Sequence, residues 1–246
     1  MDRALWIAMT GARNATLQEA AQAHNLANVG TTGFRAAINA FRTVPVEGPG
    51  LLTRIYSVDS TAATDFAKAQ VRTTGGLYDL AITGPGMFVV QDGDGREAYT
   101  RAGDFSVRAD GTLVDRLGRT VLGDAGPLVI PPGRKTVFGV DGSVSSIPES
   151  APYTENLVLG RLKLVNPETN TLFRGEDGLF RTADRQPRAA DATVQIKPGA
   201  LEDSNVNAVD SLIATIKNAR SFDLQMQLIQ RINSNAESAS RILNIA

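Results

Sequence analysis

Residues 200–246 contain neither glycine nor proline, in a chain whose remainder carries all 23 glycines and 11 prolines. Within this stretch Leu212, Ile216, Ala219, Phe222, Met226, Ile229, Ile232, Ala236, Ala239 and Leu243 recur at steps of three or four. That spacing predicts one uninterrupted helix with a narrow apolar seam. A helix of ~37 residues would run ~55 Å at 1.5 Å per residue, well beyond an ordinary globular helix. Either Ser204 or Asn207 is placed to cap its start. Lys217, Gln225 and Asn235 fall opposite the seam. A rod of this kind cannot bury its seam alone, so it constrains the rest of the chain to supply a partner helix or to leave the seam for another molecule.

The other end carries the same signature in weaker form. Residues 1–29 have one glycine, Gly11, and no proline, and Leu5, Met9, Ala12, Thr16, Ala20, Ala23 and Ala27 line one face. Most of these side chains are methyl groups, so the face is thin and marginal in isolation. At NLANVGTTGF (25–34) the helical pattern stops. Asn28 and Gly30 are expected to end the helix, since both tolerate the left-handed conformation common there.

Between the ends the periodicity changes to that of strands. MFVV (87–90), FSV (105–107), TLV (112–114), TVLG (120–123), PLVI (127–130) and RLKLV (161–165) are strand candidates. Asp-Gly occurs at 92–93, 94–95, 110–111, 141–142 and 177–178, which predicts tight hairpins with type I′ turns. Helices do not alternate with these strands, so a doubly wound sheet is excluded. The fold class is therefore α+β and multi-domain: a discontinuous coiled coil of terminal helices flanks an extended connector and an antiparallel β-rich domain. The expected boundaries are 1–30 and 206–246 for the helical domain, 31–72 and 185–205 for the connector, and 73–184 for the β domain. The connector is expected to hold one or two strands and a flexible portion around Asp59–Asp65.

Chemistry is sparse. The chain has no cysteine and one histidine, His24, so a zinc site has no ligand set. DGDGRE (92–97) places Arg96 and Glu97 where a calcium loop needs a ligand and a glycine, and reads as a hairpin turn. TTGG (73–76) and TGPGMF (83–88) fit neither phosphate-loop nor dinucleotide patterns and read as strand bends that allow close backbone approach. No G-x-S-x-G is present. The formal net charge of −1 and the scattered Lys and Arg give no footprint for nucleic acid. No apolar run approaches the ~20 residues that span a bilayer, so membrane insertion is not expected. MDRALWIAMTGARNA lacks a long apolar segment, so no cleavable secretory signal is expected. Neither an enzyme, a cofactor, a metal nor a small-molecule substrate is implied. An interaction protein remains, one whose ends order against helices of other subunits.

AHNLANVGTTGFRAAINAF (23–41) resembles the signature of bacterial flagellar axial proteins, the rod and hook family, with Asn25, Leu26, Ala27, Asn28, Thr31, Thr32, Gly33, Phe34 and Arg35 in register. His24 stands where the family usually has its first Asn, and Ala12 and Glu19 where it often has larger apolar residues. LYDLAITGPGMFVVQ followed by EAYTRAGDFSV resembles a second family element, with Met87 in place of a Phe and Tyr78 inserted. GALEDSNVNAVDSL (199–212) and NARSFDLQMQ (218–227) resemble the lead into the C-terminal helix. Within the family, MDRALWIAMTGA, GPLVIPPG, VDGSVS and GRLKLV are most similar to the proximal rod member, with the distal rod member the nearest alternative.

The resemblance implies a structural subunit of the periplasmic rod of the basal body. It implies export through the flagellar type III apparatus without signal cleavage, and assembly with copies of itself and other rod proteins into a hollow shaft. It places Leu26 with the N-helix interface, and Leu201, Glu202, Ser204, Asn205 and Val206 with the C-helix interface. Phe34 would anchor the chain where it turns outward, and Gly33 would need positive φ there. A soluble β module with a coiled-coil oligomerisation arm is the alternative outside the family.

Overall fold

The computed structural model describes residues 2–45, 55–148 and 156–243. The chain groups into two compact units, one of Met1–Val29, Ala36–Asp65 and Val206–Ala246, the other of Gly30–Arg35 and Phe66–Asn205.

The first unit holds both long helices, α1 (Asp2–Ala27) and α2 (Ala208–Leu243), packed side by side. At 36 residues, α2 is ~54 Å long. Asn207 caps it: its side-chain oxygen accepts hydrogen bonds from the N–H groups of Val209 and Asp210 at 3.0 and 3.4 Å. Asp210 adds negative charge to the first turn and Arg241 positive charge to the last, both favourable to the helix dipole. Where the sequence suggests a connector, strands β1 (Ala37–Pro45) and β2 (Ile55–Thr64) form an antiparallel ribbon. Asp59 to Thr64, expected as flexible, lie in β2; Gly48, Pro49 and Gly50, earlier in the connector, lie outside the described residues. The ribbon packs against α1, and Asn39 donates its side-chain amide to the Leu17 carbonyl at 2.9 Å.

The second unit is built of β-strands, with one 3₁₀ turn at Thr169–Thr171. Its main sheet has five strands in the order Leu164–Val165, Met87–Gln91, Glu97–Thr100, Phe180–Thr182 and Leu172–Arg174. The second strand, Met87–Gln91, buries both faces. Phe88 and Val90 enter one apolar cluster, while Met87 and Val89 enter another with Tyr99, Val165 and Phe180. That explains MFVV as a continuous apolar run rather than an alternating one. A three-stranded sheet of Arg134–Phe138, Ser143–Pro148 and Leu157–Arg161 adds Phe138 and Val144 to the first cluster.

Tight hairpins do form at the Asp-Gly positions, but not as type I′ turns, and one more forms at 115–119, which has no Asp-Gly. At 92–96, 108–112, 115–119, 139–143 and 175–179 the first residue's N–H donates to the fifth residue's carbonyl, and the fourth residue's N–H donates back to the first residue's carbonyl. The fourth residue is always a glycine with φ between +78° and +87° (Gly95, Gly111, Gly118, Gly142 and Gly178). This is the three-residue loop with a bulged glycine. Among the described residues Arg185 is the one non-glycine with positive φ, so the aspartates keep ordinary backbone. Their carboxylates instead accept backbone N–H groups two residues on, as Asp110 does from Thr112 at 2.9 Å and Asp177 from Leu179 at 3.2 Å.

Candidate assembly interface and the signature node

In the helical unit, α1 buries Ala8, Ala12 and Ala15. Gly11 lies on the same face, and a Cβ there would sit 2.8 Å from Gln225 of α2. The small side chains bring the two helices close. Opposite them, α2 presents Ser211, Thr215, Asn218, Phe222, Gln225, Ile229, Ile232, Ala236 and Ala239, all buried or half-buried and spaced by alternating fours and threes. That is a heptad seam made inside one molecule.

The apolar line read from the sequence divides against this seam. Phe222, Ile229, Ile232, Ala236 and Ala239 belong to it. Leu212, Ile216, Ala219 and Met226 lie outside it and are exposed, Leu212 at 50% and Ile216 at 55%. The side chain of Leu243 lies outside the described set. The physical reason is that Ser211, Thr215, Asn218 and Gln225 carry the first half of the seam, and polar residues are invisible to an apolar count. On α1, Leu5 and Leu26 are half-buried and Ala12 is buried, whereas Met9, Thr16, Ala20, Ala23 and Ala27 are exposed. Val209, Ile213, Leu224 and Leu228 on α2 and Trp6 on α1 are exposed as well, Leu224 and Trp6 each at 65%. A helix pair with this much apolar surface open to solvent has the character of an interaction face.

Helix α1 ends differently from expectation. Neither Asn28 nor Gly30 adopts positive φ. The last turn tightens through hydrogen bonds from the N–H groups of Asn28 to Asn25 O at 3.1 Å and Val29 to Leu26 O at 3.3 Å. The Asn28 amide also donates to the His24 carbonyl at 2.9 Å. Asn25 has a defined task. Its side chain, 4% exposed, accepts the Ala37 N–H at 2.8 Å and donates to the Ala37 carbonyl at 2.9 Å. One buried amide thereby ties the helix end to the first residue of β1.

In the β unit, three separate signature stretches meet. The Gly33 N–H donates to the Glu202 carbonyl at 2.7 Å. Gly33 has φ +66°, and a Cβ there would lie 2.3 Å from the Ala102 nitrogen and the Arg101 carbonyl carbon. Only glycine fits on both counts. Phe34 is buried under the Arg174 guanidinium, 4.3 Å from its ring centre, and Arg174 donates to the Arg35 carbonyl at 2.9 Å. The Glu202 carboxylate sits between two arginines, accepting from Arg35 Nη2 at 2.6 Å and from Arg101 Nε at 2.8 Å. It also accepts the Ala69 N–H at 3.2 Å. Arg101 spends its remaining donors on the carbonyls of Gly84 and Gly86, which gives the TGPGMF bend its purpose. Burial pushes the Glu202 carboxyl up, but the Arg101 charge and the hydrogen bonds from both arginines outweigh it and hold the carboxyl below the usual range. Burial likewise pulls the Arg101 guanidinium down, partly offset by Glu202.

Leu201 and Glu202 therefore do not belong to an exposed C-helix interface. They lie in strand Ala200–Glu202, paired with Val71–Thr73, and are buried because Glu202 must reach both arginines. Ser204, Asn205 and Val206 precede α2 and are half-buried; the Asn205 N–H donates to the Phe34 carbonyl at 3.3 Å. Thr31 is exposed and Thr32 half-buried. The sequence marks Arg35, Arg101 and Glu202 one by one, each a charge beside an apolar or small residue inside a signature stretch, but nothing local in it pairs them. Asp92 at the 92–96 hairpin pairs with Arg181 at 3.1 Å and holds no metal geometry; among the described residues no acidic or histidine cluster could hold a metal ion.

Two family models match the chain: the flagellar hook protein FlgE/F/G D1 domain over residues 81–146 and the flagellar basal body rod FlgEFG protein C-terminal over 197–242. Together they take in the strands around Arg101, the Glu202 strand and most of α2, and they define the class as flagellar rod and hook proteins. The flagellar basal-body rod protein FlgF of Salmonella typhimurium and that of Escherichia coli are each 39% identical over 252 residues, covering 100% of both chains. A flagellar basal-body rod protein FlgG of Buchnera aphidicola is 25% identical over 264 residues, covering 97% of this chain and 98% of its own. The chain belongs to the family of the flagellar basal-body rod protein FlgF, structural subunits of the basal-body rod rather than enzymes.

Proposed function

We propose that this rod subunit occupies the proximal rod and assembles through the outer faces of α1 and α2. The observation that carries this reading is the row of exposed apolar side chains on a helix pair whose inner seam is already closed. Such a pair gains stability by stacking against equivalent pairs. Head-to-tail repetition then builds a tube. In this reading 1–30 and 206–246 form the inner tube, 31–72 and 185–205 the connecting layer, and 73–184 an outer layer. The tube transmits torque and leaves a channel for exported subunits. Its partners are copies of itself and neighbouring rod proteins, with the flagellar type III export apparatus engaged beforehand. Its place is the periplasmic rod, reached without signal cleavage. Among the described residues no helix is long and apolar enough to cross a membrane.

The absence of cysteine from the chain makes a direct test available. Met9→Cys and Leu212→Cys variants, oxidised in purified basal bodies, should give disulfide-linked adducts with rod subunits that also carry single cysteines on their helices. Equivalent cysteines at exposed positions of the β unit should give none of those adducts. A stable dimer in dilute solution, with no adducts in basal bodies, would instead favour a soluble β module with a coiled-coil arm.

A further inference from the structure

The signature node has a charge imbalance. Arg35 and Arg101 are 2% and 5% exposed, yet the described residues give them a single shared carboxylate, Glu202. Arg35 Nη1 is buried and has no hydrogen-bond partner among the described residues. A buried guanidinium left with spare donors and excess positive charge is costly. Both arginines line a cavity of about 120 Å³, large enough to hold several waters or a small anion. Exposed Lys68 lies at its lining, and Phe66, Met87 and Pro167 supply apolar wall; among the described residues it carries no acidic side chain.

We propose that this cavity is a carboxylate-binding site. An anion placed there would offset the second guanidinium, and the apolar wall suits the methylene stem of a short carboxylate better than a bare halide. Two sources share that chemistry: the acidic side chain of a neighbouring subunit, which rests on the assembly reading above, or a free small carboxylate, which does not.

The test uses the full-length purified protein. Acetate is titrated at constant ionic strength against chloride, following backbone amide signals of Lys68, Gly84, Met87 and Asn166 by NMR. The expected result is saturable shifts at these amides with acetate and not with chloride. Lys68→Ala should weaken acetate about two- to fivefold, the scale for losing one exposed charge, with the rest of the spectrum unchanged. A Lys68→Glu variant, which places a competing carboxylate at the lining, then separates the sources. If it loses acetate binding and also fails to enter rods, a neighbour's acid is the occupant. If it loses acetate binding and enters rods normally, the occupant is a free anion. Acetate shifts that match chloride, or that persist undiminished in both Lys68 variants, would overturn the site whatever the rods do.

Discussion

Arg35 and Glu202, 167 positions apart, form a buried ion pair of 2.6 Å in which both side chains are 2% exposed. Arg101 closes the other oxygen of the same carboxylate. This triad joins the segment that follows α1 to the segment that precedes α2 through the β unit that lies between them in sequence.

Removing the shared carboxylate should therefore be severe. Glu202→Gln keeps the shape but leaves two buried guanidiniums without a counter-charge. The expected loss is about 3–5 kcal/mol, the range for breaking a buried pair from one side. Urea unfolding followed by tryptophan-independent circular dichroism measures it. A loss below 1 kcal/mol would show that the triad contributes little.

The same carboxylate sets an acid limit. Its folded-state pKa is depressed below the ordinary value of 4.5, and that of Asp92 below 3.8, where the backbone N–H bonds from Arg96 and Asp94 and the Arg181 pair outweigh burial. A depressed carboxylate contributes stability that is present above its unfolded pKa and is lost as pH falls through its folded pKa. Stability should thus be level from neutral pH down to about pH 5 and decline below about pH 4. In Glu202→Gln the decline should be shallower. An unchanged slope in that variant would remove Glu202 from the account.

Gly33 tests the turn. Gly33→Ala must adopt a positive φ, costing about 1–2 kcal/mol, and must also displace backbone at Arg101 and Ala102. Gly30→Ala, with ordinary φ and open space at its Cβ, should change stability by less than about 1 kcal/mol. Thermal melts of both proteins give the comparison, and equal effects would contradict the assigned conformations.

The two faces of α2 should respond differently to charge. Ile229→Asp enters the seam with α1 and should lower the helical signal and the melting temperature. Ile216→Asp lies on the exposed face and should leave both near wild type. Similar destabilisation by the two would mean that α2 has no free face.

Much of this architecture is readable from residue pattern. The long helix follows from the missing glycine and proline after residue 199, and the hairpins from Asp-Gly, because these are local constraints. What fails is what depends on partners far away. Asp-Gly points to type I′ turns, yet one positive-φ glycine per loop suffices once the aspartate accepts a neighbouring N–H. An apolar count puts the α2 seam at Leu212 and Ile216, whereas Ser211, Asn218 and Gln225 occupy it, with Gln225 lying against Gly11 of the opposite helix. The triad is not legible in the sequence, because no local rule pairs Arg35 with a glutamate 167 residues on.

The measurement that bears most directly on the central claim is incorporation of Ile216→Asp into rods. The variant is expressed in cells lacking the native protein, its fold checked by circular dichroism, and purified basal bodies probed for it by mass spectrometry. The account predicts a folded protein that is absent from basal bodies and cells that do not swim. Motile cells whose basal bodies contain the variant at wild-type abundance would contradict the claim that the exposed face of α2 is the assembly interface.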